Sequence, residues 1–357
     1  MSSQLRIGVI FGGRSGEHEV SLSSVQAVLK AIDKERYTIV PIGIDKQGRW
    51  LLDGDPLEQL ICGGSASADA PFWPRPEQLA GIDVIIPVLH GTFGEDGTLQ
   101  GMLDLAGIPY VGCGVLASAL AMDKAVSKML FAAHGLPQTP WQVVMREEWK
   151  AQPHDVLDRL ETHLAYPMFT KPANLGSSVG ISKANDRDSL AAGLTEAAAW
   201  DRKTVVEQGV LHAREIECAV LGNDDAIASL PGEIIPSNEF YDYAAKYLDG
   251  ASSERIPAPI TPEQTTAVQD MAVRAFHAVD GSGLSRVDFL LNNATGEVFL
   301  NEVNTMPGFT SISMYPKLWE ASGVPYPRLV DRLIELALVR HAERSRNRTT
   351  FTALPQA

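Results

Sequence analysis

Arg286-Val287-Asp288-Phe289-Leu290-Leu291-Asn292-Asn293-Ala294-Thr295-Gly296-Glu297-Val298-Phe299-Leu300-Asn301-Glu302-Val303-Asn304-Thr305-Met306-Pro307-Gly308 reads as a β-hairpin that gathers oxygen donors on one face. Residues 284–291 and 297–303 both have strand character. The turn-rich Asn292–Gly296 lies between them, and Gly296 suits a left-handed position in a short loop. Side chains alternate along a strand, so Arg286 and Asp288 share one face, as do Glu302 and Asn304. Folding about Thr295 sets Asp288 opposite Glu302 and Arg286 opposite Asn304. A slip of one residue would send one of these sets to the other face. Three oxygen-donor side chains beside an arginine suit a hard divalent cation. Mg²⁺ takes one or two carboxylates and completes its octahedron with water and phosphate oxygens. A solvated hairpin with scattered charges is the weaker reading. Phe289, Leu290, Leu291, Phe299 and Leu300 point to burial on both faces, and buried carboxylates need partners.

The 357 residues are enough for two or three domains with a substantial core. A net charge of −14 argues against nucleic acid or an anionic membrane as the main partner, while leaving local anion sites open. Cys62, Cys113 and Cys218 are widely spaced and lack CxxC spacing, so they suggest neither a disulfide framework nor a zinc site. The N-terminal apolar run is short and broken by Gly8, Gly12 and Gly13, unlike a secretory signal. The longest apolar runs fall well short of the roughly 18 residues a membrane span needs. These features predict a cytoplasmic protein.

The first part of the chain alternates strand and helix. Leu5–Phe11 is a strand running into Gly12-Gly13, a helical pattern follows from about Val20 to Ile32, Tyr37–Ile44 is a second strand, and Val84–Leu89 is a buried strand ending at His90. This alternation predicts a parallel sheet with ligands at the carboxyl ends of its strands. Gly12-Gly13 and His90-Gly91 lie just past two such ends. A helix is expected from Met122 to about His134, stopped by Gly135 and Pro137. Strands near Pro167–Lys171 and Gly180–Lys183 flank the loop Pro172–Val179, ahead of a helix over Leu190–Trp200 and a strand over Thr204–Gln208. The remainder carries strands, a helix Glu263–Val279, the hairpin and a last helix near Tyr326–His341. The expected division is an α/β domain over residues 1–117, an α+β domain over 118–209, a third domain over 210–345 and a flexible polar tail over 346–357.

Several segments allow two readings. Lys171-Pro-Ala-Asn-Leu-Gly176-Ser177-Ser178-Val179-Gly180 is a Gly/Ser loop whose backbone N–H groups can cradle phosphate, with Lys171 adding charge. It is not a Walker A loop, and Gly/Ser loops are often only turns. The metal-type hairpin tips the balance toward an ATP site between the second and third domains. Lys124 follows Asp123 at a helix start and, from spacing alone, reads as a surface lysine. Glu207 and Glu215 suit hydrogen bonds from a nucleotide amine or ribose, or equally a salt bridge. Phe240–Tyr247 reads evenly as a half-buried strand or as a lid carrying Lys246 and Tyr247, which would exclude water from a labile acyl phosphate. Glu17 is either favourable acidity at a helix N-terminus or a carboxylate for a substrate ammonium. His90 in His90-Gly-Thr-Phe-Gly-Glu-Asp-Gly97 reads as structural or, given the glycines, as backbone close to a ligand.

Taken in order, these motifs resemble those of the D-alanine–D-alanine ligases of the ATP-grasp superfamily. The resemblance covers nearly the whole chain and rests on five segments: Gly12–Ser21, His90–Gly101, Lys171–Gly180, Tyr243–Tyr247 and Gly283–Gly308. It implies a three-domain ATP-grasp architecture with an N-terminal parallel α/β domain. The implied activity is ATP-dependent joining of two D-alanines through an acyl phosphate, for peptidoglycan precursor synthesis. Two Mg²⁺ (or Mn²⁺) ions would be held by Asp288, Glu302 and Asn304. ATP would be contacted by Lys124, Lys171, Ser178, Glu207, Glu215, Lys246 and Asn301. Glu17, Ser177 and Tyr247 fall on the family's hydrogen-bonded trio beside the first substrate, with Val20 and His90 nearby. Arg286, Gly308, Ser313 and Met314 fall near the second substrate, and many relatives have Leu at position 314. Arg286 and the Gly308 N–H would stabilise the developing oxyanion. A homodimer is implied as well. Tyr247 favours a dipeptide over a D-alanyl-D-lactate product. Another ATP-grasp carboxylate–amine ligase, or a non-catalytic nucleotide-binding protein on this fold, are the further alternatives.

Overall fold

A computed structural model of the chain describes residues 4–235, 253–310 and 312–350. The described residues form three sheets flanked by helices. The first is built from β1 (Leu5–Gly12), β2 (Tyr37–Ile44), β3 (Trp50–Leu51) and β4 (Val84–Val88), in the order β3-β2-β1-β4. β1 pairs parallel with both β2 and β4, as strand–helix alternation predicts, and β3 adds an antiparallel edge. The chain leaves β1 for β2 on one side and has β4 on the other. The carboxyl ends of β1 and β4 therefore flank a switch point, where open α/β sheets bind ligands. Gly12 ends β1 at φ +89°, and a Cβ there would overlap the Ile44 carbonyl, so only glycine fits the turn. The Gly12 N–H donates to Ser21 Oγ at 2.7 Å, and Ser21 in turn donates to the Val88 carbonyl, which ties the two strand ends together.

The second sheet is antiparallel, in the order β5-β8-β6-β7, from β5 (Trp141–Met145), β6 (Met168–Pro172), β7 (Ser182–Ala184) and β8 (Lys203–Gln208). The third is also antiparallel. It runs β12-β11-β9-β13-β14, with β9 (Ala213–Gly222), β11 (Gly232–Ile235), β12 (Ser253–Arg255), β13 (Gly283–Asn292) and β14 (Val298–Asn304), and with β10 (Ile227–Ala228) paired to β9. The hairpin register matches the sequence reading: Arg286 faces Asn304 and Asp288 faces Glu302. One detail is new. Phe289 pairs with Leu300, which leaves Asn301 as the extra residue of a β-bulge.

The helix expected from about Met122 to His134 forms as Lys124–Ala133, and a helix the sequence reading did not include, Val115–Met122, precedes it. Asp123 separates them. It has extended backbone and caps the second helix, accepting from the Ala125 and Val126 N–H groups at 3.1 Å. Ala117, Phe131 and Leu136 from this region pack with Ile216, Cys218, Phe289 and Leu300 of the third sheet.

The apolar core is shared unevenly. One cluster joins Ile7, Val9 and Phe11 of β1 to Leu221 and Leu284 of the third sheet, and to Tyr315, Trp319, Leu333 and Ile334 of the helices Met314–Ala321 and Tyr326–Arg344. The second sheet keeps a core of its own around Val144, Leu160, Met168, Leu190 and Val206. Polar contacts reinforce the shared core. Asp331 pairs with Arg36 and accepts from Tyr37 Oη at 3.0 Å; burial, then Asp331, push the Tyr37 phenol up to about 12. Arg340 donates to the Gly112 carbonyl, to the Tyr110 carbonyl at 2.9 Å and to Ser282 Oγ at 2.8 Å, with its guanidinium 4.3 Å over the Tyr110 ring.

Arg340→Ala removes three charge-assisted hydrogen bonds and should lower the unfolding free energy by about 2 kcal/mol or more. Urea denaturation checks this, and a change under about 0.5 kcal/mol would mark the contact as unimportant.

Candidate active site

The third sheet builds one wall of the site. Arg286 donates from Nε and Nη2 to the two oxygens of Asp288, at 2.7 and 2.6 Å. Asn304 Nδ2 donates to Asp288 Oδ2 at 3.1 Å. Glu217 on β9 lies directly across from Asp288, with Oε2 3.1 Å from Arg286 Nε. Burial works against the Arg286 charge, but the Asp288 and Glu217 carboxylates outweigh it and raise its pKa well above the usual range.

The bulge at Asn301 explains how two consecutive residues reach the second sheet. Asn301 Oδ1 accepts from Lys171 Nζ at 3.2 Å, and Glu302 Oε2 lies 3.9 Å from Lys124 Nζ. A regular strand would turn one of them away. Lys171 also donates to Glu207 Oε2 at 3.1 Å, and the fully buried Lys128 sits 3.3 Å from the same oxygen. Burial favours neutral Glu207, yet the two lysines prevail and lower its pKa; burial lowers that of Lys128. Glu207 thus holds Lys171 in place from behind. Lys124 opens its helix beside the Gly/Ser loop and donates to the Leu175 carbonyl at 2.6 Å.

The opposite wall comes from the loops after β1 and β4. Ser177 Oγ donates to Glu17 Oε1. Ser15 Oγ donates to the His90 carbonyl at 2.8 Å and accepts from the Glu17 N–H at 3.0 Å. Ser177 and Ser178 both have positive φ, 50° and 59°, a strained conformation for serine that aims this loop at Glu17. His90 is buried, and desolvation lowers its pKa, so the ring is neutral. Its Nδ1 lies 3.2 Å from the Met306 carbonyl, which only accepts, so Nδ1 carries the proton and Nε2 accepts from Ser24 Oγ at 3.0 Å. His90 therefore ties the first wall to the segment that leads to Gly308. A Cβ on Gly308 would come within 2.7 Å of Ser313 Oγ, which also accepts from the Thr310 N–H at 3.1 Å. Met314 begins the next helix and is buried, as is Val20 on the helix His18–Ala31.

The residues singled out from sequence meet in neighbouring groups of polar contacts: Glu17 with Ser177 and, through Ser15, with His90; Lys124 with Glu302; Lys171 with Glu207 and Asn301; and Arg286 with Asp288 and Asn304. Glu215 lies on β9 two residues before Glu217. Lys246 and Tyr247 lie outside the described residues. Sequence patterning passes over Glu217, Lys128 and Glu95. Glu217 has a weak signal, since Glu215 and Glu217 alternate with Ile216 in an otherwise apolar strand. Glu95 accepts from the Gly91 N–H at 3.1 Å; burial first, then the nearby charge of Glu17, push its pKa up to about 8.

Two carboxylates and an amide at the hairpin suit a hard cation that takes its remaining ligands from phosphate and water. Among the described residues no group of three or more His, Cys, Asp or Glu side chains is arranged to hold a metal ion. A cavity of about 480 Å³ bounded by Leu136, Trp141 and His163 shares none of these residues. No helix among the described residues is long and apolar enough to cross a membrane.

Two family models match the chain: the D-ala D-ala ligase N-terminus over residues 6–113 and the D-ala D-ala ligase C-terminus over residues 130–335. The chain is 52% identical over 356 residues to the D-alanine–D-alanine ligase of Heliobacterium modesticaldum, covering 96% of this chain and 97% of that protein. It is 49% identical over 362 residues to the ligase of the same name from Natranaerobius thermophilus, covering 98% and 99%. Among solved structures, the D-alanine-D-alanine ligase from Coxiella burnetii superposes with a TM-score of 0.81 at 37% identity, covering 96% and 97%. The VanG D-Ala:D-Ser ligase from Enterococcus faecalis gives 0.82 at 36%, covering 94% and 100%.

Glu95 yields a pH prediction. Its folded pKa of about 8 exceeds the ordinary carboxylate value of 4.5, so the folded state binds the proton more tightly than the unfolded one. Its contribution to stability is full below the unfolded value and is lost as pH rises through about 8. Glu95→Gln in the ligand-free protein should therefore gain stability relative to the parent between about pH 5 and 8. Denaturant unfolding across that range checks this, and a pH-independent difference would show an ordinary carboxylate.

Proposed function

Because the chain belongs to the D-alanine–D-alanine ligase family and has its ATP-grasp fold, we infer from that premise that it joins two D-alanines at the expense of ATP, forming ADP, phosphate and D-alanyl-D-alanine for peptidoglycan synthesis. The observation that carries the site assignment is the hairpin face of Asp288, Glu302 and Asn304, with Glu302 beside Lys124 and the adjoining Asn301 bonded to Lys171 on one side, and Ser177 bonded to Glu17 on the other.

The carboxylate of the first D-alanine attacks the γ-phosphate of ATP, the bond to ADP breaks, and an acyl phosphate forms. Lys171 and Lys246 offset charge on the transferring phosphoryl group. Lys124, Ser178, Glu207, Glu215 and Asn301 hold the nucleotide directly or through these lysines. Two Mg²⁺ ions, replaceable by Mn²⁺, would be held by Asp288, Glu302 and Asn304 and would neutralise phosphate charge. Glu17 receives the ammonium of the first D-alanine. Ser177 and Tyr247 fix the loop and the substrates in reacting position, and Val20 and His90 bound that subsite. The amine of the second D-alanine gives up a proton and attacks the acyl carbon. Arg286 and the Gly308 N–H receive the oxyanion, with Ser313 and Met314 beside the acceptor. The intermediate collapses, phosphate leaves, and the new amide remains. We also place the division into three domains at residues 117 and 209, and the enzyme as a cytoplasmic homodimer.

Phosphate release should require both ATP and D-alanine and should fail with L-alanine. Release without D-alanine, or none with it, would sink the ligase reading. Glu302→Ala should reduce turnover by about 10³-fold or more, in line with loss of charge stabilisation on a transferring phosphoryl group; near-normal rates would refute the metal assignment. Tyr247→Phe should weaken discrimination against D-lactate at neutral pH. Unchanged product ratios in a competition assay would count against Tyr247 as the selecting group.

A further inference from the structure

Residues paired across a sheet stand side by side on one face. The ladder β11-β9-β13-β14 therefore sets Gly232, Glu217, Asp288 and Glu302 in one row. Neighbouring strands are about 4.8 Å apart, so three carboxylates follow one another at roughly that spacing, and like charges so placed repel. The next row along the strands holds Ala219, Arg286 and Asn304. Asp288 and Glu302 have work in the proposed reaction. Glu217 has none, yet it is only 8% exposed.

The surroundings of Glu217 restrict what it can do. Its neighbour on one side is Gly232, where a side chain would collide with Met314 and Leu318, so that flank is already filled by the residues at the acceptor end. On the other side Oε2 lies 3.1 Å from Arg286 Nε. Ala219, across from Arg286 on β9, is small enough to let the arginine lean toward Glu217. Both oxygens of Asp288 accept from the same guanidinium, and Oδ2 accepts from Asn304 as well. Those Asp288 oxygens are also the ones a divalent cation would claim. A carboxylate shared with a cation holds an arginine less firmly, which leaves Glu217 as the remaining anionic anchor.

We propose that Glu217 is a positioning residue for Arg286, holding the guanidinium at the acceptor side of the site while Asp288 serves the metal. The proposal rests on the ligase reading and adds to it a residue for the second half-reaction. It separates the two halves of the chemistry. Acyl phosphate formation needs only ATP and the first D-alanine, whereas Arg286 matters when the second amine attacks.

Glu217→Gln keeps the shape and removes the charge. Losing the close ion pair with Arg286 should raise KM for the second D-alanine about tenfold and lower kcat. KM for the first D-alanine, ATP affinity and positional isotope exchange within ATP should stay within about twofold, a change of roughly 0.4 kcal/mol. Glu217→Asp should recover part of the loss. Equal effects on both D-alanine sites, or a second-site KM within that same twofold range, would overturn the proposal. A second measurement uses the unmodified protein, so it survives any folding failure of the variants. The Arg286 Nε–H, its resonance identified by its loss in Arg286→Lys, is donated to Asp288 Oδ1 without Mg²⁺, and should stay in slow exchange after Mg²⁺ is added because Glu217 then receives it. A signal that passes into rapid solvent exchange on adding Mg²⁺ overturns the anchor. A parent protein that makes no dipeptide removes the ligase reading instead, and the resonance still decides whether Glu217 holds Arg286.

Discussion

Carboxylates taken out of water must be matched by cations, and this constraint organises the whole site. Glu217, Asp288, Glu302 and Glu207 all crowd the join between the second and third sheets. Positive groups from three elements meet them: Arg286 of β13 faces Glu217 and Asp288, Lys124 and Lys128 of one helix face Glu302 and Glu207, and Lys171 of β6 also faces Glu207. Removing one member would leave a buried charge without compensation, which costs far more than the pair itself contributes. The network is therefore better understood as specifying geometry than as adding stability. It fixes which lysine faces which carboxylate, and so where a chain of phosphates with its cations can lie.

The opposite wall follows a different principle. There, close backbone approach sets the positions. Gly91 at φ +73° lies so near Glu17 that a Cβ would sit 2.5 Å from Oε2, and a Cβ on Gly176 would meet Glu17 and Glu95 at 3.2 and 3.4 Å. Three loops from two sheets thus converge on Glu17 without side-chain bulk between them. Two carboxylates, Glu17 and Glu95, come to share this small space, and the rise of the Glu95 pKa follows from that crowding and from burial. An ammonium group entering beside Glu17 would relieve the same repulsion.

The hairpin was readable from sequence because its information is local. Alternation, a turn and a two-residue offset determine that Asp288 faces Glu302, and the structure has that register. The parallel order of β1 and β4 was readable for a similar reason, since strand–helix alternation leaves few topologies. The bulge at Asn301 was not, because an extra residue in a strand leaves no mark on the apolar pattern when its neighbours are Leu300 and Glu302. The helix Val115–Met122 was not readable either, because nearly all of its eight residues are apolar and leave no helical period to see. Lys128 was invisible, and Glu217 nearly so, for a stronger reason. Each looks like an ordinary solvated charge until pairing of β9 with β13, or burial beneath Glu207, gives it a partner far away in sequence.

Uneven sharing of the core also bears on how the site works. One apolar cluster runs from β1 through the third sheet to the helices Met314–Ala321 and Tyr326–Arg344. The residues proposed for the two amino-acid subsites, from Glu17 and His90 to Arg286 and Met314, hang on that single packed body, and His90 bonded to the Met306 carbonyl links their two ends directly. The second sheet has a separate core, and its active-site contacts with the rest are polar: Lys171 with Asn301, Lys124 with Glu302, Ser177 with Glu17. Dense apolar packing tolerates little change in spacing, whereas a polar contact can be exchanged for one to phosphate or metal at small net cost. On the proposed assignment, the distance between the two amino-acid subsites is therefore preset by the fold, and the placement of the Gly/Ser loop would be left for the nucleotide to complete.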